Sequence, residues 1–112
     1  MKRKTFNIIR DSVFKSCAET NAKKSSDYAT EDVLSNFKRL SGVAKIMDLD
    51  IQTPHGYALF MSVMKIDRIN NLTKSNKSAT CEPIDDSFID CVNYTILAYA
   101  ILKEVSNAKD TD

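Results

Sequence analysis

Asp86, Asp90 and Asn93 stand at i, i+4 and i+7 in a stretch that is otherwise almost wholly apolar from Phe88 to Leu102. At about 100° per residue, these side chains fall within roughly 60° of one another on a helix, so two carboxylates and an amide address the same space. Polar groups set in an apolar helix cost free energy unless something pairs with them. A hard cation is one such partner, because Mg²⁺ takes a few carboxylates together with waters and phosphate oxygens. The wet side of an amphipathic helix accounts for the same pattern.

Other residues share this polar-in-apolar character. Lys65 lies between Met61 and Ile69, and Asp67 follows Phe60 and Met64, within a segment apolar on almost every side. A lysine can snorkel out of such a site, and Asp67 can pair with Lys65 or Arg68. Asp32, Asn36 and Arg39 repeat the i, i+4, i+7 spacing opposite Val33, Phe37 and Leu40, where a solvated face is expected. Tyr28 and Tyr94 have faces that would stack on a nucleobase, or they bury with a single satisfied hydroxyl. His55 has no partner at ligand spacing. The chain has no glycine-rich phosphate loop, no Ser-His-Asp set and no His-Glu-x-x-His motif, which sets aside several enzyme classes.

Helices must position these groups. Two glycines and two prolines among 112 residues argue against a turn-rich β architecture. A first helix is predicted over 5–23, with Thr5 as cap and Phe6, Ile9, Val13 and Cys17 as its apolar stripe. Lys23 to Ala29 interrupts it, since Ser25, Ser26 and Asp27 compete for backbone hydrogen bonds. Thr30 restarts a helix with Glu31 and Asp32 in its first turn, Val33, Phe37 and Leu40 as its buried face, and Gly42 as its stop. The segment 43–52 fits either a helical turn or a packed connector. Thr53 and Pro54 open a central helix to about Leu72, expected to be the most buried. Residues 73–83 read as a mobile loop. The last helix runs from Pro83 or Ile84 to about Val105, ahead of a frayed tail at 106–112.

These elements make one all-α domain over 1–112, a bundle of about four main helices with its core at about 5–105. Helical domains of this size often cover surplus apolar surface with a second copy, so a homo-oligomer is expected. A net charge of +1, from 16 basic and 15 acidic residues, creates no field for a DNA or RNA polymer. No apolar run reaches the length that spans a bilayer, and Arg10 and Asp11 cut short the start of any signal sequence. A cytoplasmic protein with no membrane partner is the expectation. Cys17, Cys81 and Cys91 lack metal spacing and are expected to be reduced and buried.

Three segments in order carry a family resemblance: Lys24 to Phe37 (KSSDYATEDVLSNF), Val63 to Leu72 (VMKIDRINNL) and Asp85 to Leu97 (DDSFIDCVNYTIL). Together they resemble nucleotide modification associated domain 1, a family of small phage and bacterial proteins, with the likeness extending from about Ile8 to Leu102. That family in turn looks like a relative of the MazG-type nucleoside triphosphate pyrophosphohydrolases, oligomeric all-α bundles that use Mg²⁺ on clustered carboxylates. Asp90 and Tyr94 match the Asp and Tyr of the MazG closing helix, and Asp86 lies one turn earlier. The MazG pattern also has a Glu-Glu-x-x-Glu set, absent here, and a Glu where this chain has Ser87.

The resemblance implies a MazG-like fold and a nucleotide-like ligand held between helices or subunits. Lys24, Lys65 and Arg68 would meet phosphates. Asp86, Asp90 and Asn93 would accept from base or ribose donors, with Asp27, Tyr28, Asn36 and Tyr94 completing the ligand set. No catalytic residue is assigned, because losing carboxylates weakens a hard-cation site, and binding is favoured over hydrolysis. By analogy, such a protein could sequester a nucleotide or cyclic nucleotide immune signal in the cytoplasm of a phage-infected host, needing no cofactor. The alternative is a Mg²⁺-dependent pyrophosphohydrolase with Asp86 and Asp90 as metal ligands and Asp32 adding to them. A bundle that binds only protein is a third expectation.

Overall fold

The computed structural model describes residues 1–29, 31–74 and 83–110, with side chains to residue 107. Among the described residues there are four helices and no strand: α1 (Arg3–Tyr28), α2 (Ser35–Ile46), α3 (Pro54–Lys74) and α4 (Ile84–Asp110). None is long and apolar enough to cross a membrane.

The organising pair is α3 with α4. Ala58, Ser62, Lys65, Ile69 and Leu72 recur on α3 at spacings of four and three, and Ile84, Ser87, Cys91, Tyr94, Ala98 and Ile101 do so on α4. That is the seam of two helices packed along their length. Ser62 Oγ donates to the Cys91 carbonyl at 3.1 Å and lies 3.0 Å from Thr95 Oγ1, while Arg68 reaches Ser87. Position along α3 therefore rises as position along α4 falls, so the pair is antiparallel. Small residues at its centre, Ala58, Ser62 and Ala98, are buried and bring the two backbones close.

The start of α3 follows the Thr53–Pro54 expectation. Thr53 Oγ1 donates to the Asp50 carbonyl at 2.7 Å and accepts from the Gly56 amide at 3.1 Å, satisfying one of the helix's orphan donors. Gly56 is required there, since a Cβ would collide with the Asp50 carbonyl and the Thr53 hydroxyl.

Elsewhere tertiary contacts override local propensity. α1 does not break at Lys23 but continues through Ser25 and Ser26 to Tyr28, because Asp27 is anchored to α3. Its cap position is Lys2 rather than Thr5. The stripe of Phe6, Ile9, Val13 and Cys17 is exposed, not buried. Thr30 lies outside the described residues. α2 starts at Ser35, after a turn in which Asp32 Oδ1 accepts the Leu34 amide at 2.9 Å. Val33 and Phe37 are exposed, leaving Leu40 as the buried residue of the expected face.

Gly42 does not stop α2. The helix ends where Asp48 adopts φ 51°, with the Leu49 amide bonded to the Ala44 carbonyl at 3.0 Å and the Asp48 amide to Lys45 at 3.2 Å. This is a Schellman closure with an aspartate in the left-handed position glycine usually takes. α3 extends past Leu72 to Lys74, and α4 passes Val105 to Asp110, so the tail is helical over 106–110. The rest of the expected loop, 75–82 with Cys81, lies outside the described residues.

Candidate ligand-binding site

The site begins with a buried ion pair. Arg68 Nη2 donates to Asp27 Oδ2 at 2.6 Å, its Nη1 donates to Ser87 Oγ at 2.6 Å, and both charged side chains are 0% exposed. Asn71 Nδ2 donates to the Asp27 carbonyl at 2.8 Å. One guanidinium thus joins the end of α1, the middle of α3 and the start of α4. Ser87, itself fully buried, is the acceptor that lets Arg68 reach across to α4.

This anchor places Tyr28 on α3. Its ring lies 5.7 Å from the Arg68 guanidinium carbon, its hydroxyl accepts from Lys65 Nζ at 3.2 Å, and its carbonyl accepts from Arg39 Nη2 at 3.1 Å. Lys65 also pairs with Asp90 Oδ2 at 3.2 Å. Asp67 pairs with neither Lys65 nor Arg68 but takes both arms of Arg39, at 2.8 and 3.0 Å. That forked contact to Asp67 raises the Arg39 pKa above its ordinary value.

Beside Tyr28 opens a cleft of about 500 Å³ between the end of α1 and the start of α2. Asn21, Lys24, Ser25 and Tyr28 of α1 face Val33, Leu34, Asn36 and Phe37, with Met64 of α3 beneath. The volume lies within the usual range for small-molecule sites, and apolar walls with a few convergent polar groups are their usual make-up. Asn36 is only 6% exposed, contrary to the solvated face expected for it, and no described residue hydrogen-bonds its side chain. Lys24 is exposed and has no ion-pair partner among the described residues. The nearby acids Asp27, Asp32, Asp67 and Asp90 each hold a cation already. With α2's positive dipole end bordering the cleft, its surroundings favour an anion.

The expected ligand residues therefore fall into groups. Lys24, Tyr28 and Asn36 line the cleft together. Lys65 touches it through the Tyr28 hydroxyl, and Asp90 stands behind Lys65. Asp27 and Arg68 lie underneath, with their charges spent on each other. Asp86 and Asn93 are exposed on the same side of α4 as Asp90, and Tyr94 lines a different groove, between α3, α4 and the 51–53 turn.

For Mg²⁺ the donor set does not fit. Asp90 is engaged by Lys65, Asp86 is one turn away, and no three His, Cys, Asp or Glu side chains gather among the described residues. Asp32 holds Lys38 at 2.5 Å and caps the turn before α2.

Sequence reasoning misses Arg39, Asn71 and Ser87 as the groups that fix Tyr28, Asp27 and Arg68 respectively. An Arg on the supposedly solvated face of α2 is the available signal, since Asp67 on α3 needs a cation.

No curated protein and no solved structure matches the chain. The Lys24–Phe37 segment, which builds most of the cleft, precedes the stretch that a family model recognises. That stretch covers α3 from Phe60 and α4 to Leu102, including Lys65, Arg68, Ser87 and Asp90. Over residues 60–102 the chain matches the family nucleotide modification associated domain 1, the family its Val63–Leu72 and Asp85–Leu97 motifs resemble.

Proposed function

We propose that this protein binds a nucleotide-like ligand in the cleft between α1 and α2 and holds it without cleaving it. The observation that carries this reading is the convergence of Lys24, Tyr28 and the unbonded, buried Asn36 on one cleft. Each suits one part of a nucleotide. Lys24 and the α2 N-terminus suit phosphate, Tyr28 and Phe37 offer aromatic surface to a base, and Asn36 has both a donor and an acceptor for base-edge recognition. The match of α3 and α4 to a nucleotide-associated family supports the same ligand class.

Retention rather than turnover follows from the acids. Hydrolysis of a phosphoanhydride on Mg²⁺ needs carboxylates free to hold the ion. Here those nearest the cleft are committed to Arg68, Lys65, Arg39 and Lys38. A protein of this kind acts by lowering the free concentration of its ligand, as a sponge for a nucleotide or cyclic nucleotide signal would.

The test is a panel of nucleoside phosphates and cyclic dinucleotides, with and without Mg²⁺, read by thermal shift and by chromatography of the recovered ligand. A ligand that raises the melting temperature and returns intact supports the reading. Pyrophosphate release that disappears in Asp90→Ala would instead establish a pyrophosphohydrolase.

A further inference from the structure

α4 has three faces. Ser87, Cys91, Tyr94 and Ala98 pack on α3, and Asp86, Asp90 and Asn93 form the polar side. The third face carries Phe88, Val92, Tyr99 and Leu102, with Ile89 and Ile96 beside them, each between 46% and 62% exposed. Nothing among the described residues covers it. α1 has the converse problem. Its last turns reach α3, while from Arg3 to Lys24 nearly every residue is exposed, Phe6, Ile9 and Val13 included. An isolated helical arm of that length is marginal in water unless its apolar stripe is packed.

The surface area gives the scale. A compact monomer of 12.6 kDa exposes about 6,200 Å². This chain exposes 8444 Å². The excess of roughly 2,200 Å² is well above the ~800 Å² that each partner contributes to a standard interface.

We propose that a second copy of this chain covers the face, with α1 of each copy lying along α4 of the other in a reciprocal two-fold pair. Lengths and charges agree with this pairing. The α1 stripe from Phe6 to Cys17 spans about 16 Å and the α4 stripe from Phe88 to Leu102 about 21 Å. α1 opens with Lys2, Arg3 and Lys4 and has no acid in its first turn, so its cations oppose its own dipole. α4 opens with Asp85 and Asp86. Laid parallel, the basic start of one helix meets the acidic start of the other, which two copies of α4 facing each other would not achieve. An isologous pair closes both seams at once.

Sedimentation of the full chain without ligand tests the pairing independently of the nucleotide reading. At micromolar concentration the expected mass is that of two chains or an even multiple, and a monomer overturns the proposal. Val13→Glu on α1 and Val92→Glu on α4, both at exposed positions, should each halve the mass. Mixing the two variants should regenerate a dimer through the one seam left intact. Lys4→Glu should weaken the assembly and Asp85→Lys in the same chain should restore it. A dimer that survives both glutamates, or a mixture that stays monomeric, assigns the face to something else.

Discussion

Asp27 and Arg68 sit 2.6 Å apart, 41 positions apart in the chain and wholly out of contact with solvent. The pair explains why α1 persists through a stretch of serines that local propensity would break. It also fixes where Tyr28 and Lys24 lie relative to α2. A buried ion pair adds little net stability over a well-packed apolar replacement, but removing one partner leaves an uncompensated charge.

Asp27→Ala should therefore destabilise the fold by about 3–5 kcal/mol, a large share of the total for a domain of this size. Urea unfolding followed by circular dichroism measures it. Asp27→Leu combined with Arg68→Met should recover much of the loss while releasing the end of α1. The double variant then reports whether ligand binding needs the anchor or only the fold.

The two glycines should respond in opposite directions to alanine. Gly42 lies within α2, and an added methyl there would meet open space, so Gly42→Ala should stabilise by about 0.5–1 kcal/mol. Gly56→Ala must push against the Asp50 carbonyl and the Thr53 hydroxyl, and should cost at least the ~1–3 kcal/mol typical of overpacking. Both values come from the same urea titrations.

Asp32 gives the turn before α2 a defined pH dependence. The hydrogen bond from Lys38, and secondarily that from the Leu34 amide, hold its carboxyl below the ordinary carboxylate value. A depressed folded-state pKa contributes stability that is present above the unfolded value, near pH 3.9, and is lost as pH falls through the lower folded value. The Leu34 amide resonance followed by NMR should stay constant down to about pH 4 and shift below it. A midpoint at or above the ordinary aspartate value would remove Asp32 as the cap.

Much of the helical framework is legible in the sequence because it rests on short-range rules. Thr53 and Pro54 set the start of α3, and the last helix begins at Ile84, within the expected Pro83–Ile84 start. The misreadings lie where distant residues decide. Ser25, Ser26 and Asp27 look like a break until Arg68 holds Asp27, and Asn36 looks solvated until it is seen within the cleft that α1, α2 and Met64 enclose. Gly42 reads as a stop only if Asp48 is not seen to close the helix six residues later. For the site, Lys24, Tyr28 and Asn36 share one short segment of sequence and one cleft. Tyr94 falls in another groove, because helical spacing does not say which groove a side chain enters. Asp90 reads as a ligand group from its own helix, and its attachment to Lys65 cannot be anticipated from spacing along that helix alone.

The cleft should distinguish its residues by how they fail. Lys24→Ala removes a cation at an exposed rim, so binding of a phosphate-bearing ligand should weaken modestly and lose part of its salt dependence, because screened surface charge is what it contributes. Asn36→Leu removes a buried donor and acceptor without opening space. If Asn36 reads a base edge, the ligand's polar atoms are then left unpaired, which costs about 1–3 kcal/mol, or roughly five- to 150-fold in affinity, at any salt concentration. Titration calorimetry of both variants at two salt concentrations separates these outcomes. Equal losses from Lys24→Ala and Asn36→Leu with the same salt slope would mean the ligand is held by charge alone, and the base-reading role of Asn36 would be withdrawn.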